Sequence, residues 1–443
     1  MKGLRIFTIV ALAVLTAVGW VTFAVDTGTG VVSYQSSISE ADQYVEEGLY
    51  QRAILKYKEA IARHDTKENW AKLFHAYDLR YQEDAGILSD FIADLQSALA
   101  LHPRNIDFIQ KLYELHMVSN DIESAYDCLS TAIENGVEDE NIRKEAQKLK
   151  YSYELDYHTY TAFRSLSASV YAVSNGEKWG YIDTAGESLA DYKYFYAGSL
   201  NDEKVRVCDT ELGSRLLDGD GMVLGIFPFT VTDSGVFADG LVPVLNGEKY
   251  SYYNSFAKEQ FGGYDAAGTF QDGLAAVQKD GAWFLIDTSG AEKSDKFADI
   301  VTDNNGRYLT GEVMVAAKEA GKYQLFDEKG KPVSDFTADQ MDICTADGII
   351  AFEKDGKWGF VDASGKVVIE PCYEQAKSFS CGLAAVCQSG RWGFINSSNE
   401  LVIEYRFAGA DYFNSAGTCM VRGDAPDADD EILWQLLVLN LGL

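Results

Sequence analysis

Three patterns of apolar and polar positions follow one another along the chain. The first is an uncharged run from Ile6 to Val25, whose twenty residues are long enough to cross a bilayer as a helix. From residue 38 to about 160, apolar residues recur at helical spacing, as in EEGLYQRAILKYKEAI and SNDIESAYDCLSTAI. Beyond residue 161 the period falls to two, in short runs rich in β-branched and aromatic residues that stop at Asp, Asn, Gly or Pro. The patterns predict a membrane anchor or signal peptide over 1–25, a polar linker over 26–37, a helical domain over 38–160 and an all-β module over 161–443.

The β module is organised around GKWGFVDASGKVVIEP, residues 356–371, of which imperfect copies recur. Trp358 opens a short strand and shares one face of it with Phe360, because side chains alternate along a strand. Each Trp is therefore expected to fill the same interior slot. Gly359 removes a side chain beside the indole, so a neighbouring backbone can come close. Asp362 ends the strand and Gly365 follows three residues later, the spacing of an Asp-initiated turn closed by glycine. KVVIEP is then a second strand, stopped by Pro371.

The turn residue recurs at Asp183, Asp218, Asn254, Asp287, Asp327, Asp362 and Asn396, which gives seven copies. Gly186, Gly221, Gly290, Gly330 and Gly365 close the turn, while Ala257 and Asn399 replace glycine in two copies. Trp179, Trp283, Trp358 and Trp392 start the strand, with Tyr250 and Tyr323 in two others. Upstream segments beginning at Phe237, Phe270, Phe379 and Leu166 add a further strand, joined to the Trp strand by hairpins such as KDGKWG. A unit thus has three strands and no helix.

Over residues 163–421 the chain resembles the WG-repeat family of bacterial proteins, on the pairs Trp179-Gly180, Trp358-Gly359 and Trp392-Gly393. It departs from the pattern where Phe284 follows Trp283, and where the copies at Asp218 and Asn254 lack Trp. The resemblance implies architecture and supplies no catalytic or ligand residues. In the helical half, Gly48, Tyr50, Ala53, Tyr57 and Ala60 stand at the offsets of a tetratricopeptide repeat. Asn120, Ile122, Ala125, Leu129 and Ala132 repeat those offsets, and Ala98 with Pro103 marks a middle unit enlarged around EDAGILSD. The expected architecture is a transmembrane helix, tetratricopeptide-like helices, then β repeats closed as a propeller, with an open repeat stack as the alternative. In a closed ring, the apolar terminus ILWQLLVLNLGL is expected to complete the blade begun near Leu166, which removes two exposed edges.

Charge narrows the partners. A formal net charge of -30 repels nucleic acid and anionic headgroups, and leaves basic proteins, cations or neutral polymers. Lys2 and Arg5 precede the apolar run and Asp26 follows it, so an uncleaved anchor leaves the N-terminus cytoplasmic and the bulk of the chain extracytoplasmic. A cleaved signal peptide is the competing reading, with a poor small-residue site at Thr22 and Ala24.

Candidate chemistry is sparse. His64, His75, His102, His116 and His158 all precede the β repeats, so the repeats cannot build a His-based triad or metal site. No phosphate-loop, dinucleotide, zinc-protease or nucleophile-elbow segment occurs. Seven cysteines without CxxC spacing read as buried apolar residues, with Cys381 and Cys387 on one face if their strand is continuous. DGDG at 218–221, DNNG at 303–306 and DAPDADD at 424–430 offer oxygen ligands for Ca²⁺ but read more simply as turns and a solvated loop. Tyr-rich clusters at 151–160, 192–196 and 250–256 divide between core packing and sugar stacking. The expectation is a membrane-tethered binding or scaffolding protein, without catalysis, cofactor or metal. Its helical repeats would engage a protein or peptide, and a cell-envelope polymer is a further candidate partner. The alternative is a glycan-binding or glycan-hydrolysing enzyme working through carboxylates and tyrosines.

Overall fold

The computed structural model describes residues 30–328, 330–423 and 433–442, and the chain divides into two compact units between Lys150 and Tyr151. The predicted anchor over 6–25 and the acidic loop over 424–430 lie outside the described residues. Among those described, no helix is long and apolar enough to cross a membrane.

The first unit is built from α1 (Gly30–Glu46), α2 (Tyr50–Arg63), α3 (Lys67–Glu83), α4 (Leu88–Leu101), α5 (Ile106–Val118), α6 (Ile122–Glu134) and α7 (Glu140–Lys150). Each helix packs on the next. The polar linker expected over 26–37 is helical from Gly30. Tyr34, Ser37, Ile38 and Ala41 keep helical spacing, and the small polar residues around them disguised it. At the turn into α2, Gly48 takes φ +73°, and Ala53, Tyr57 and Ala60 are buried behind it. Asn120 takes the left-handed position before α6 at φ 56°, with Ala125, Leu129 and Ala132 buried in the same places. Asn reaches that region more easily than other non-glycine residues because its side chain bonds locally. In the middle pair, Phe91 stands where the others have Ala53 and Ala125. It is fully buried and stacked on Tyr77 at 4.7 Å, and the connection before it carries an extra 3₁₀ turn, Ala85–Ile87.

The second unit is an eight-bladed β-propeller. The blades span 162–194, 196–226, 241–264, 266–287, 299–326, 340–373 and 375–407, and blade 8 combines 409–439 with Tyr153–Leu155. Eight apolar clusters lie one between each pair of neighbouring blades, including Tyr160, Tyr171, Val173, Met420 and Leu436 between blades 8 and 1. The ring is closed.

Closure differs from the expectation in its partner. Trp434–Leu439 pairs with Thr418–Arg422 on one side and with Tyr153–Leu155 on the other, not with the strand near Leu166. The chain's two β ends thus share blade 8. Seven Asp or Asn turns became eight blades because blade 8 has a chain break where the others have that turn. Residues 151–160, assigned by sequence to the helical domain, belong to the propeller for the same reason, and His158 goes with them.

A blade such as 375–407 has four strands, because a two-residue innermost strand, Gln375–Ala376, precedes the three that the sequence shows. The turns share one construction, shown in full in six of the seven. The Asp362 carboxylate, for example, accepts the backbone N–H of Ser364 at 2.9 Å and of Lys366 at 3.0 Å, while Gly365 at φ +88° donates to the Asp362 carbonyl. Ala257 and Asn399 hold φ 53° and 61° where glycine is missing.

The slot expected for Trp belongs to another residue. Trp179, Trp283, Trp358 and Trp392 are half-buried at the strand start, whereas two residues later Tyr181, Leu285, Phe360 and Phe394 are at most 3% exposed. The glycine after Trp acts as predicted. A Cβ on Gly359 would lie 2.5 Å from the Ile369 carbonyl oxygen, and one on Gly393 2.5 Å from that of Ile403. The outer strand bulges in over this spot, with its register shifted across Gly359 and again between Phe360 and Val361.

Candidate functional site

In the helical unit, the first helices of successive pairs are tied along one face. Lys72 of α3 reaches Asp42 of α1 at 2.7 Å, and Lys111 of α5 reaches Asp78 of α3 at 2.6 Å. Tyr113 of α5 donates to Glu145 of α7 at 3.0 Å. Where α1 faces α3, two adjoining hollows of about 460 and 320 Å³ share Asp42, Glu68 and Lys72, with His75, Glu46 and Tyr34 around them. Tyr57 closes the floor by donating to Asp42, and burial first, then that carboxylate, raises its pKa. Asp42, Lys72 and Glu68 remain partly or fully open to solvent, so this face can exchange its internal ion pairs for those of a ligand.

Around the propeller axis, charged residues follow the innermost strands of blades 1, 6, 7 and 8: Arg164, Asp342, Lys377 and Asp411. Arg164 of blade 1 donates to Asp233 at 2.8 Å, and Tyr250 donates to the same carboxylate. Across the ring, Lys377 pairs with Asp411 at 3.0 Å, and Tyr412 donates to Asp342 at 2.6 Å. Burial works against the Lys377 ammonium, but Asp411 and Asp342 outweigh it and its pKa is raised. In blade 5 the connection over 301–313 is longer than its counterpart over 377–382 in blade 7. It crosses to the opposite blade: Asn304 donates to Ser165 at 2.9 Å, and Arg307 to Ser167 at 3.1 Å. Asp303 starts that hairpin by accepting the N–H groups of Asn305 and Arg307. Burial, with Asp411 adding, raises its pKa.

The third feature is a cleft of about 310 Å³ at the seam between blades 8 and 1. One wall is Asp156, Tyr157, His158 and Tyr160. The other is the outer hairpin of blade 1, with Glu187 and Tyr192. His158 Nδ1 lies 3.1 Å from Asp156 Oδ1, and the Tyr157 and His158 rings are 3.8 Å apart.

The predicted residues distribute as follows. Trp179, Gly180, Asp183, Gly186, Trp283, Asp287, Gly290, Trp358, Gly359, Asp362, Gly365, Trp392, Gly393 and Asn396 all occupy repeat positions in blade strands and turns. Gly186 also borders the seam cleft. Of the Tyr-rich clusters, 151–160 and 192–196 meet at the seam, whereas Tyr252 and Tyr253 of the third are buried in the core. DGDG at 218–221 is a repeat turn, with Asp218 accepting from Asp220 and Met222. DNNG at 303–306 is a turn of the same kind. Cys381 sits in a connection at φ 55°, ahead of the strand that carries Cys387, so the two do not share a strand. His158, excluded from the β module by sequence, is paired with a carboxylate inside it. The cross-axis hairpin had no counterpart in the sequence reading.

Four segments, 179–209, 263–283, 358–392 and 392–422, match the WG containing repeat family. No curated protein matches the chain. Among solved structures, BamB from Moraxella catarrhalis is similar at 11% identity, over 65% of this chain and 99% of that one, with a TM-score of 0.44. Hsv2p of Kluyveromyces lactis is similar at 10% identity, over 64% and 100%, with a TM-score of 0.36. PorZ of Porphyromonas gingivalis is similar at 10% identity, over 63% of this chain and 43% of that one, with a TM-score of 0.34.

Proposed function

For a chain in which a helical unit is followed in sequence by an eight-bladed propeller with WG repeats, we propose a binding and scaffolding role without catalysis. The protein is tethered by residues 6–25 with its bulk outside the cytoplasm, and its partner is a protein that presents a basic, extended segment. The observation that carries this reading is the pair of adjoining hollows between α1 and α3, where Asp42, Glu46 and Glu68 outnumber Lys72. A cationic side chain entering there gains carboxylate partners without leaving a buried charge unpaired. The chain's charge of -30 speeds encounter with such a partner at low salt.

The test uses the full chain in its membrane. A photo-crosslinker at Glu68 or His75 is expected to capture one protein, and Glu46→Lys with Glu68→Lys to abolish the capture. A crosslinker at Leu55, exposed on α2, is the control; equal capture from both faces would sink the reading. Protease added to intact cells is expected to digest the chain beyond Asp26. Protection there, alongside a protected cytoplasmic marker, would overturn the orientation.

A further inference from the structure

We infer that the seam cleft between blades 8 and 1 is a second binding site, one that takes a neutral sugar ring of a glycan. It goes beyond the helical face and does not depend on it. Its rim carries two aromatic rings that the fold does not need to expose. Tyr157 is 84% exposed and Tyr192 40%, and both border the same cleft. Rings with one face free are platforms for the C–H face of a pyranose. The cleft's volume, about 310 Å³, is at the lower end of small-ligand pockets.

The floor is polar. Tyr160 is 1% exposed and its backbone is bonded both ways to Trp434, and its phenol lines the cleft with no hydrogen-bond partner among the described residues. A sugar hydroxyl can accept that O–H in place of water. Beside it, Asp156 is held by the His158 ring and backbone N–H, and Glu187 extends from the opposite wall. The wall therefore offers phenols that can both donate and accept and carboxylates that can only accept. Sugar hydroxyls do both. An ammonium group only donates and so leaves the phenol O–H groups without an acceptor, and an anionic sugar is repelled by Asp156 and Glu187.

Ligand binding to the folded state alone raises Tm, so occupancy is readable without an enzymatic assay.

The experiment titrates full-length protein in detergent with chitotetraose and cellotetraose as neutral probes, trigalacturonate as an anionic probe and choline as a cationic one. Heat and Tm are followed. A neutral tetrasaccharide is expected to bind and raise Tm. Tyr157→Ala and Tyr192→Ala, at exposed rings, are each expected to weaken it about tenfold while the circular dichroism spectrum stays unchanged. Tyr160→Phe removes only the unpaired hydroxyl, so it is expected to weaken binding without lowering the Tm of the free protein. The inference is overturned if neither neutral sugar binds at millimolar concentration, if choline or trigalacturonate binds in their place, or if the three variants bind as wild type does. Crosslinking at Glu68 is untouched by any of these outcomes.

Discussion

Blades 6 and 7 keep glycine after tryptophan, and each has a seven-residue outer strand, Val367–Tyr373 and Leu401–Phe407. Blades 4 and 5 carry Phe284 and Gln324 at that position, and their outer edge is reduced to isolated bridges, Trp283 to Phe297 and Tyr323 to Ala338. Blade 3 shows that space, rather than glycine itself, is what matters. Ser251 stands at the position, Gly262 faces it from the outer strand, and a Cβ on Gly262 would lie 1.9 Å from the Ser251 hydroxyl. One glycine on either side of the pair suffices. Blade 2, with Arg215 there, retains a shortened outer strand of four residues, Val223–Ile226. The glycine of the motif thus serves the neighbouring strand, and the tryptophan is its visible companion.

The sharpest break compares blade 8, made from both β ends, with the continuous blades. Deleting residues 433–443 removes the strand between Tyr153–Leu155 and Thr418–Arg422, and is expected to abolish hydrogen-exchange protection around the ring, blade 4 included. Loss confined to blades 7, 8 and 1 would show that the blades are independently stable. Next in size is the contrast within one strand. Phe360→Ala is expected to cost about 3–5 kcal/mol by emptying a buried slot, and Trp358→Ala about 1–2 kcal/mol because the indole is already half in water. Equal losses in denaturant titrations would return the core role to tryptophan. Gly359→Ala is expected to cost about 1–3 kcal/mol through collision with the Ile369 carbonyl, whereas Gln324→Ala, with no outer strand to meet, should stay within about 0.5 kcal/mol. The smallest effect is pH-dependent. Asp303 has a raised pKa in the fold, so its folded form holds the proton more tightly. The penalty for ionising it is absent below the ordinary carboxylate range and grows as pH rises through the raised value. Asp303→Asn should therefore gain Tm relative to wild type near neutrality and lose that gain in acid. A constant difference would assign the effect to packing.

What was legible in the sequence was local. A side-chain oxygen, of Asp in five copies and Asn in two, that bonds the backbone N–H groups just ahead writes itself into seven short spacings, and all seven turns are there. The innermost strands, such as Gln375–Ala376, are too short to show a period of two. Tryptophan drew attention because it recurs, while the buried slot two residues later varies as Tyr181, Leu216, Leu285 and Phe360, and a slot filled by any large apolar side chain leaves no motif. At the seam, one aromatic wall was visible over 151–160. Its pairing with Tyr192 depends on ring closure, as does the contact of Asn305 with Leu166, 139 residues away.

Sharing blade 8 between the two β ends has a consequence for biosynthesis. The segment Tyr153–Leu155 leaves the ribosome long before Trp434–Leu439, its partner. The intervening stretch of about 280 residues takes roughly 15–55 s to make at about 5–20 residues per second. Throughout that interval the nascent ring has an unmatched edge at each end, and every blade already made waits for the last dozen residues before the circle can lock. A chain stalled or clipped before Trp434 would be an adhesive intermediate, so synthesis through Leu439 is itself the checkpoint for this fold.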